Sequence, residues 1–442
     1  MKKNLPKGSK KLLNAWAFYD WANSVYSLVI NSAIFPLFYA AISIKAFEKG
    51  KVPNILKDVN NESIIIVTTA IAFLIVSVIS PILSGIADYS GQKKRFLQFF
   101  CYLGALSCIG LAAFSFDYLW ISLIIYMLAL IGFWGSLVFY NSYLPDIAFP
   151  EQQDAISSKG FSMGYLGSVL LLIICLAMIE FGLYPSSGYL LGLDAVQMSF
   201  ILVGVWWMGF AQYTYKYLPL GTRKDRSKVK NIFTNGFQEL KKIWKNLSAN
   251  LQMKRYLGAF FIYSMAVQTV MLVATYFGTE EVAWEDDGAT MGLIISILLI
   301  QLVAILGAWL ASLLSRKLGN IKTLIIINIL WALICVYGYF VVTPLQFYIT
   351  AGFVGLVMGS IQSLSRSTYS KMIPEGNLDT ASYFSFYDVA EKIGIVIGML
   401  IFAIVGEISG SMREPILFLI LFFITGIILL FRIPKLTNTK VK

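Results

Sequence analysis

The sequence predicts an all-α membrane protein with twelve transmembrane helices in two pseudo-symmetric six-helix bundles. Three observations lead there. Hydrophobic residues are 58% of the 442 and charged residues 13%, with a mean hydropathy of +0.72, so a water-soluble chain of this length would leave too much apolar surface in solvent. The apolar residues fall in runs of about 20, the length that crosses a bilayer core. One pattern also occurs twice, roughly half the chain apart.

The repeat has two anchors. Residues 84–95 read Ser-Gly-Ile-Ala-Asp-Tyr-Ser-Gly-Gln-Lys-Lys-Arg, and Gly91 and Lys94 recur as Gly319 and Lys322. Tyr140, Leu144, Pro145 and Asp146 recur as Tyr369, Ile373, Pro374 and Glu375, at an offset that agrees to within one residue. This argues for a duplicated unit of roughly 220 residues, and two like hydrophobic bundles can rock about a site between them, which is how many transporters are built.

The spans are expected near 15–42, 63–87, 97–116, 119–143, 160–181 and 195–217, then 256–279, 289–314, 322–342, 346–369, 382–408 and 415–432. Span one follows a Lys-rich amino terminus and is too long for a signal-peptide core, so no cleavable signal is expected. Residues 218–255 are the one long hydrophilic connector, rich in Lys and Arg. They suit a cytoplasmic linker between an amino-terminal bundle, 1–217, and a carboxy-terminal bundle, 256–442. From about Phe233 to Leu247 the linker keeps helical spacing of apolar residues, as in a helix on a membrane surface. Most of the 35 basic residues fall on the side of the termini, which places both termini in the cytoplasm of a multi-pass cell-membrane protein. Glu280, Glu281, Glu285, Asp286 and Asp287 then cluster in an outer loop. The net charge of +11 is mostly an inner-leaflet effect and needs no nucleic acid.

Several chemistries are excluded. The chain has no histidine, which removes HExxH zinc sites, histidine-ligated haem and Ser-His-Asp hydrolysis. It has no G-x-x-x-x-G-K-[ST] loop, so it does not couple directly to ATP hydrolysis. Cys101, Cys108, Cys175 and Cys335 all fall in spans without metal or redox spacing and read as buried thiols. No enzyme activity, cofactor or metal is expected, and gradient-driven movement of a small molecule remains.

Two spans carry the polar constellations. In span one Asp20, Asn23, Ser24, Ser27 and Asn31 fall within about 100 degrees of arc on an α-helix, edged by Tyr19 and Tyr26. Such a stripe cannot face lipid; it either joins helix to helix or lines a cavity that meets solute. Asp20 is also a candidate proton carrier. In span eleven Ser385, Asp388, Glu391 and Lys392 share a face, with Asp388 and Lys392 spaced for an ion pair. Asp388 and Glu391 are candidates for a gate or for a substrate or proton-coupling site, whereas Arg366 of span ten and Lys392 read as gate residues. Span seven adds Ser264, Gln268 and Thr275 on one stripe. Tyr19, Asn23, Tyr26, Ser27, Asn31, Gln268 and Gln362 are the expected solute contacts.

The segment after span two is physically readable as a gate. Asp88 ends the span, Gly91 permits a sharp turn, and Lys93, Lys94 and Arg95 anchor the loop at the inner leaflet. The acid can hold the opposite half by charge or by capping a helix amino terminus. Breaking that contact would open the cytoplasmic side.

This segment, Ser84 to Arg95, resembles the signature loop between helices two and three of the major facilitator superfamily, with Ser84 where that family usually has glycine. The second copy has Arg316 in place of Asp88, so the charge lock is expected only in the first half. Tyr19-Asp20-Trp21-Ala22-Asn23-Ser24, Tyr140-Asn141-Ser142-Tyr143-Leu144-Pro145-Asp146, Gly164-Tyr165-Leu166-Gly167 and Gln362-Ser363-Leu364-Ser365-Arg366-Ser367 are similar to the vacuole-effluxer-like branch, the autophagy-related protein 22 type. The resemblance implies the major facilitator fold and alternating access, with an amino acid as the lead solute; a monomer in the lipid bilayer is expected. The neutral hydrogen-bonding groups of Asn23, Asn31, Gln268 and Gln362 beside aromatic walls would suit a small zwitterion, though also a peptide, sugar or drug. A receptor or scaffold built on the same fold is the other reading.

Overall fold

The computed structural model describes residues 5–51, 53, 61–180, 192–221, 232–285 and 288–434. Among them are twelve helices long and apolar enough to cross a membrane: Lys10–Glu48, Ser63–Ser90, Lys93–Ala113, Phe116–Ile147, Pro150–Ile179 and Ala195–Tyr217, then Leu251–Glu281, Ala289–Leu318, Asn320–Tyr339, Pro344–Met372, Thr380–Ser409 and Arg413–Phe431. They are spans one to twelve below. Each overlaps a predicted run, and several continue past it, because a helix can outlast the bilayer core. Span five begins at Pro150 rather than near 160, which turns the polar stretch 150–159 from loop into helix.

Each half has its own apolar core. Trp16, Trp207, Phe100 and Phe139 belong to the first, and Trp331, Phe423, Tyr256 and Tyr369 to the second. Small residues let backbones meet inside each half, the usual way helices pack where lipid tails remove the hydrophobic drive between them. Gly359 of span ten lies against the backbone of Ala304 in span eight. Arg413 bonds Glu281 at 2.6 Å and the Tyr339 carbonyl at 2.6 Å, tying together the ends of spans seven, nine and twelve that lie away from the termini. Glu280 and Glu281 thus close span seven instead of lying in a loop, and Asp286 and Asp287 lie outside the described residues.

The connector forms a helix, Ile232–Ala249. Part of its apolar side meets protein: Ile243 and Leu247 are buried, and the ring of the exposed Trp244 lies 5.3 Å from Phe386 of span eleven. The helix also packs beside span two. It therefore straps the seam between the halves at the end that carries the described terminal segments, called the basic end here.

Among the described residues, the hydrogen bonds and ion pairs that join the two halves lie between the basic end and mid-depth, from Asp88 with Ser382 up to Tyr165 with Gln362. Nearer the opposite end the second half reaches the core of the first through apolar side chains such as Leu272, Ile297 and Met399. The protein is closed at its basic end.

The glycine seam makes a direct test. Gly359→Ala drives a methyl group into the span-eight backbone and is expected to cost about 1–3 kcal/mol, seen as a lower melting temperature in detergent. Gly352→Ala on the same span meets nothing within 4 Å and should stay within about 1 kcal/mol of the parent.

Candidate functional site

The deepest junction between the halves is an ion pair. Arg366 of span ten lies 3.2 Å from Asp20 Oδ2 of span one, and both residues are at most 4% exposed. Arg366 Nη1 and Nη2 both donate to that oxygen at 3.2 Å, and the Tyr140 hydroxyl donates to it at 2.8 Å. The remaining guanidinium donors go to Ser157 Oγ and the Ser157 carbonyl, each at 2.9 Å, and to Asn141 Oδ1 at 3.2 Å. A guanidinium has five N–H donors, and all five are used. Phe161 and Trp16 cover its faces at 4.1 Å and 4.9 Å. Arg366 is thus held by spans one, four and five of the opposite half and has no donor to spare for a solute.

Span one reaches this position because span five is stripped of side chains where they meet. A Cβ on Gly160 would collide with Asp20 Oδ2, one on Gly164 with Ser24 Oγ, and one on Gly167 would come within 2.8 Å of the Trp21 carbonyl. This is the small-residue stripe of close helix pairs.

At the basic end Asp88 caps the other half. Its carboxylate accepts from the backbone amides of Ala381 at 3.2 Å and Ser382 at 2.7 Å, and from Ser382 Oγ at 2.7 Å. These amides belong to the first turn of span eleven, whose donors have no intrahelical partner, and Asp379 does not cap its own helix. A negative charge at the positive end of the helix dipole adds to the bond. Gly91 ends span two with φ at 66°, which a side chain would strain. Lys93 donates to Asp146 at 2.6 Å and to Thr380 Oγ1 of the opposite half. Lys94, expected at the gate, bonds the Leu218 carbonyl just past span six at 3.0 Å, because the adjacent position on the helix points the other way.

The second copy of the loop also holds the opposite half, contrary to the expectation raised by Arg316, which is exposed. Its acid comes from across the seam. Asp154 of span five accepts from Lys371 at 2.6 Å and from Ser315 and Asn320 at 2.9 Å each. Asp154 and Ser157 escaped the sequence reading because they sit in polar turns that read as loop.

A third cluster lies at mid-depth where spans four, seven and eleven meet. Lys392, fully buried, lies 2.6 Å from Asp388 and 3.0 Å from Glu391, and its ammonium sits 3.5 Å from the centre of the Trp134 ring. Gln268 donates to Glu391 at 2.8 Å. Lys392 is therefore about 18 Å up its helix at 1.5 Å per residue, not at the basic-end gate. Beside this cluster Gln362 accepts from Tyr165 at 2.7 Å and approaches Met271 Sδ at 3.6 Å.

The span-one stripe is only partly as expected. Asp20 and Asn23 are buried, and Ser24, Ser27 and Asn31 half-buried. Residues Tyr26–Ile34 wind as a π-helix, whose i→i+5 bonding turns each residue by less than an α-helix does, so Asn31 rotates off the face of Asp20. Tyr19 and Tyr26, expected as solute walls, point into the first half instead: their rings lie 4.9 Å from Tyr140 and 4.8 Å from Phe133. A helical wheel gives the edges of a stripe but not which edge meets a neighbour.

Two substitutions test the locks. Asp88→Ala removes a cap and should weaken the closed state by about 0.5–2 kcal/mol, read as faster alkylation of a cysteine placed at Ser382. Gly160→Ala displaces the Asp20 carboxylate from Arg366 and should give a larger effect, because unpairing a buried charge costs about 3–5 kcal/mol.

Comparison with known proteins agrees with this architecture. Residues 8–438 match the family described as vacuole effluxer Atg22 like. The chain is 31% identical over 430 residues to the uncharacterized MFS-type transporter YxiO of Bacillus subtilis, covering 97% of this chain and 96% of that one. It is 23% identical to autophagy-related protein 22 of Kluyveromyces lactis, covering 96% and 93% respectively. Among solved structures it is similar in fold to the major facilitator transporter FucP in the outward conformation, with a TM-score of 0.65, 13% identity and coverage of 95% and 99%. The proton:xylose symporter XylE gives a TM-score of 0.69 at 13% identity, with coverage of 96% and 95%. The chain belongs to the vacuole effluxer Atg22-like family of the major facilitator superfamily, and is a multi-pass membrane transporter that works by alternating access rather than an enzyme.

Proposed function

We propose that the protein is a secondary active transporter for a small polar solute of the amino-acid class, coupled to protons, working as a monomer in the cell membrane with both termini cytoplasmic. The observation that carries this reading is the Asp20–Arg366 pair. It is buried, it joins the halves, and it consumes every donor of Arg366. Its natural role is a lock that must part in each cycle, not a solute contact.

The basic end is then the cytoplasmic end, in line with the positive-inside rule, and the closed state described above faces outward. Asp88, Gly91, Lys93 and Arg366 form the cytoplasmic gate, joined by Asp154, Lys371 and Asn320. Lys94 supports the loop from within its half. Solute meets Gln268, Gln362, Asn23 and Ser27 at mid-depth. A proton delivered to Asp20 removes the charge that holds Arg366, and the two halves part at the cytoplasmic side. Asp388 and Glu391 are the other carboxyl groups able to take up a proton on the solute's path.

Counterflow in proteoliposomes tests the reading. Labelled amino acids should exchange, an inward proton gradient should raise the rate, and Asp20→Asn should keep exchange while losing the enhancement. If no amino acid exchanges through folded protein, the solute class is wrong. Enhancement that survives in Asp20→Asn removes Asp20 from the coupling.

A further inference from the structure

We infer that the Asp388–Glu391 pair is the receptor for a cationic amino group of the solute. The inference rests on the transporter reading above and names the part of the solute that this site recognises.

In the interior of the described spans, Asp20 and Arg366 neutralise each other. Asp388 and Glu391 share Lys392 alone, so two carboxylates face one ammonium and one negative charge is unmatched. An unmatched charge away from water is expensive, and such groups in membranes pair or carry function.

The donors and acceptors tell the same story. Both interior cations are spent: Arg366 uses all five donors, and Lys392 is divided between Asp388, Glu391 and the Trp134 ring. A solute carboxylate arriving here finds no free cation. Acceptors are in surplus. Asp388 is 5% exposed, yet its Oδ2 has no hydrogen-bond partner among the described residues. Glu391 is the more accessible member of the pair, with a side chain 18% exposed against 7% for Asp388. Tyr263 and Tyr387 lie within electrostatic range of Glu391 and bring no positive charge.

A proton could balance the same charge, so the test separates the two cations and reads binding rather than flux. Thermal unfolding of the purified full chain is followed at one fixed pH with matched derivatives of alanine, valine and phenylalanine. The amino-acid amides keep the ammonium and lose the carboxylate. The N-acetyl amino acids keep the carboxylate and lose the ammonium.

At least one amide should raise the melting temperature by on the order of 2 °C, with no shift from its N-acetyl counterpart. The shift should vanish in Glu391→Gln and in Asp388→Asn and persist in Glu391→Asp, each variant being compared with its own ligand-free melt. If Glu391→Gln fails to fold, Asp388→Asn carries the test. Equal shifts from amide and N-acetyl compounds, or a shift that survives both neutral variants, would overturn the inference. Silence from every amide assigns the unmatched charge to a proton alone and also overturns it. None of these outcomes depends on counterflow, so the transporter reading and this site fail independently.

Discussion

A charge removed from water needs a partner, and in this protein the partner of Asp20 belongs to the other half of the molecule. Neither Asp20 nor Arg366 can stay ionised and alone at that depth without a cost of several kcal/mol. Span five is therefore bare at Gly160 and Gly164 so that span one can approach, and Tyr140, Asn141 and Ser157 supply the remaining bonds. One electrostatic requirement thus fixes the contact between spans one, four, five and ten. It also makes that contact reversible, since neutralising either side removes the reason for it.

Around this pair the molecule has two peripheral locks of the same polarity. At the span-two loop the first half supplies an acid, Asp88, to helix amides of the second. At the span-eight loop the second half offers Ser315 and Asn320 to an acid, Asp154, that again comes from the first. The duplicated loop kept its task while the carboxylate moved to the helix it receives. Both acids belong to the first half, so in each of these two locks the carboxylate comes from one side and its hydroxyl, amide or lysine donors from the other. The linker helix crosses the same seam and must adjust when it opens.

Much of the fold was legible. Apolar runs of bilayer length locate all twelve spans, and the repeat locates the two halves. What the sequence could not convey depends on partners far away in the chain. Arg366 reads as a gate residue by depth alone, but the ligands that saturate it lie more than 200 residues earlier. Asp154 and Ser157 were hidden because helix continues beyond the hydrocarbon core. Tyr19, Tyr26 and Asn31 show the limit of a helical wheel: facing depends on packing, and a π segment shifts the phase. The span-eleven charges were legible as a cluster, whereas the placement of Lys392 over Trp134 was not.

The Asp20–Arg366 pair holds the basic end closed. The most direct measurement is the distance distribution between spin labels at Glu151 and Arg316, which are exposed at the basic end of opposite halves. In the parent the distribution should be dominated by a short distance, and Arg366→Ala and Asp20→Asn should each move population to longer ones. A distribution unchanged by both substitutions would contradict the account, leaving the closed state to the peripheral locks and apolar packing alone.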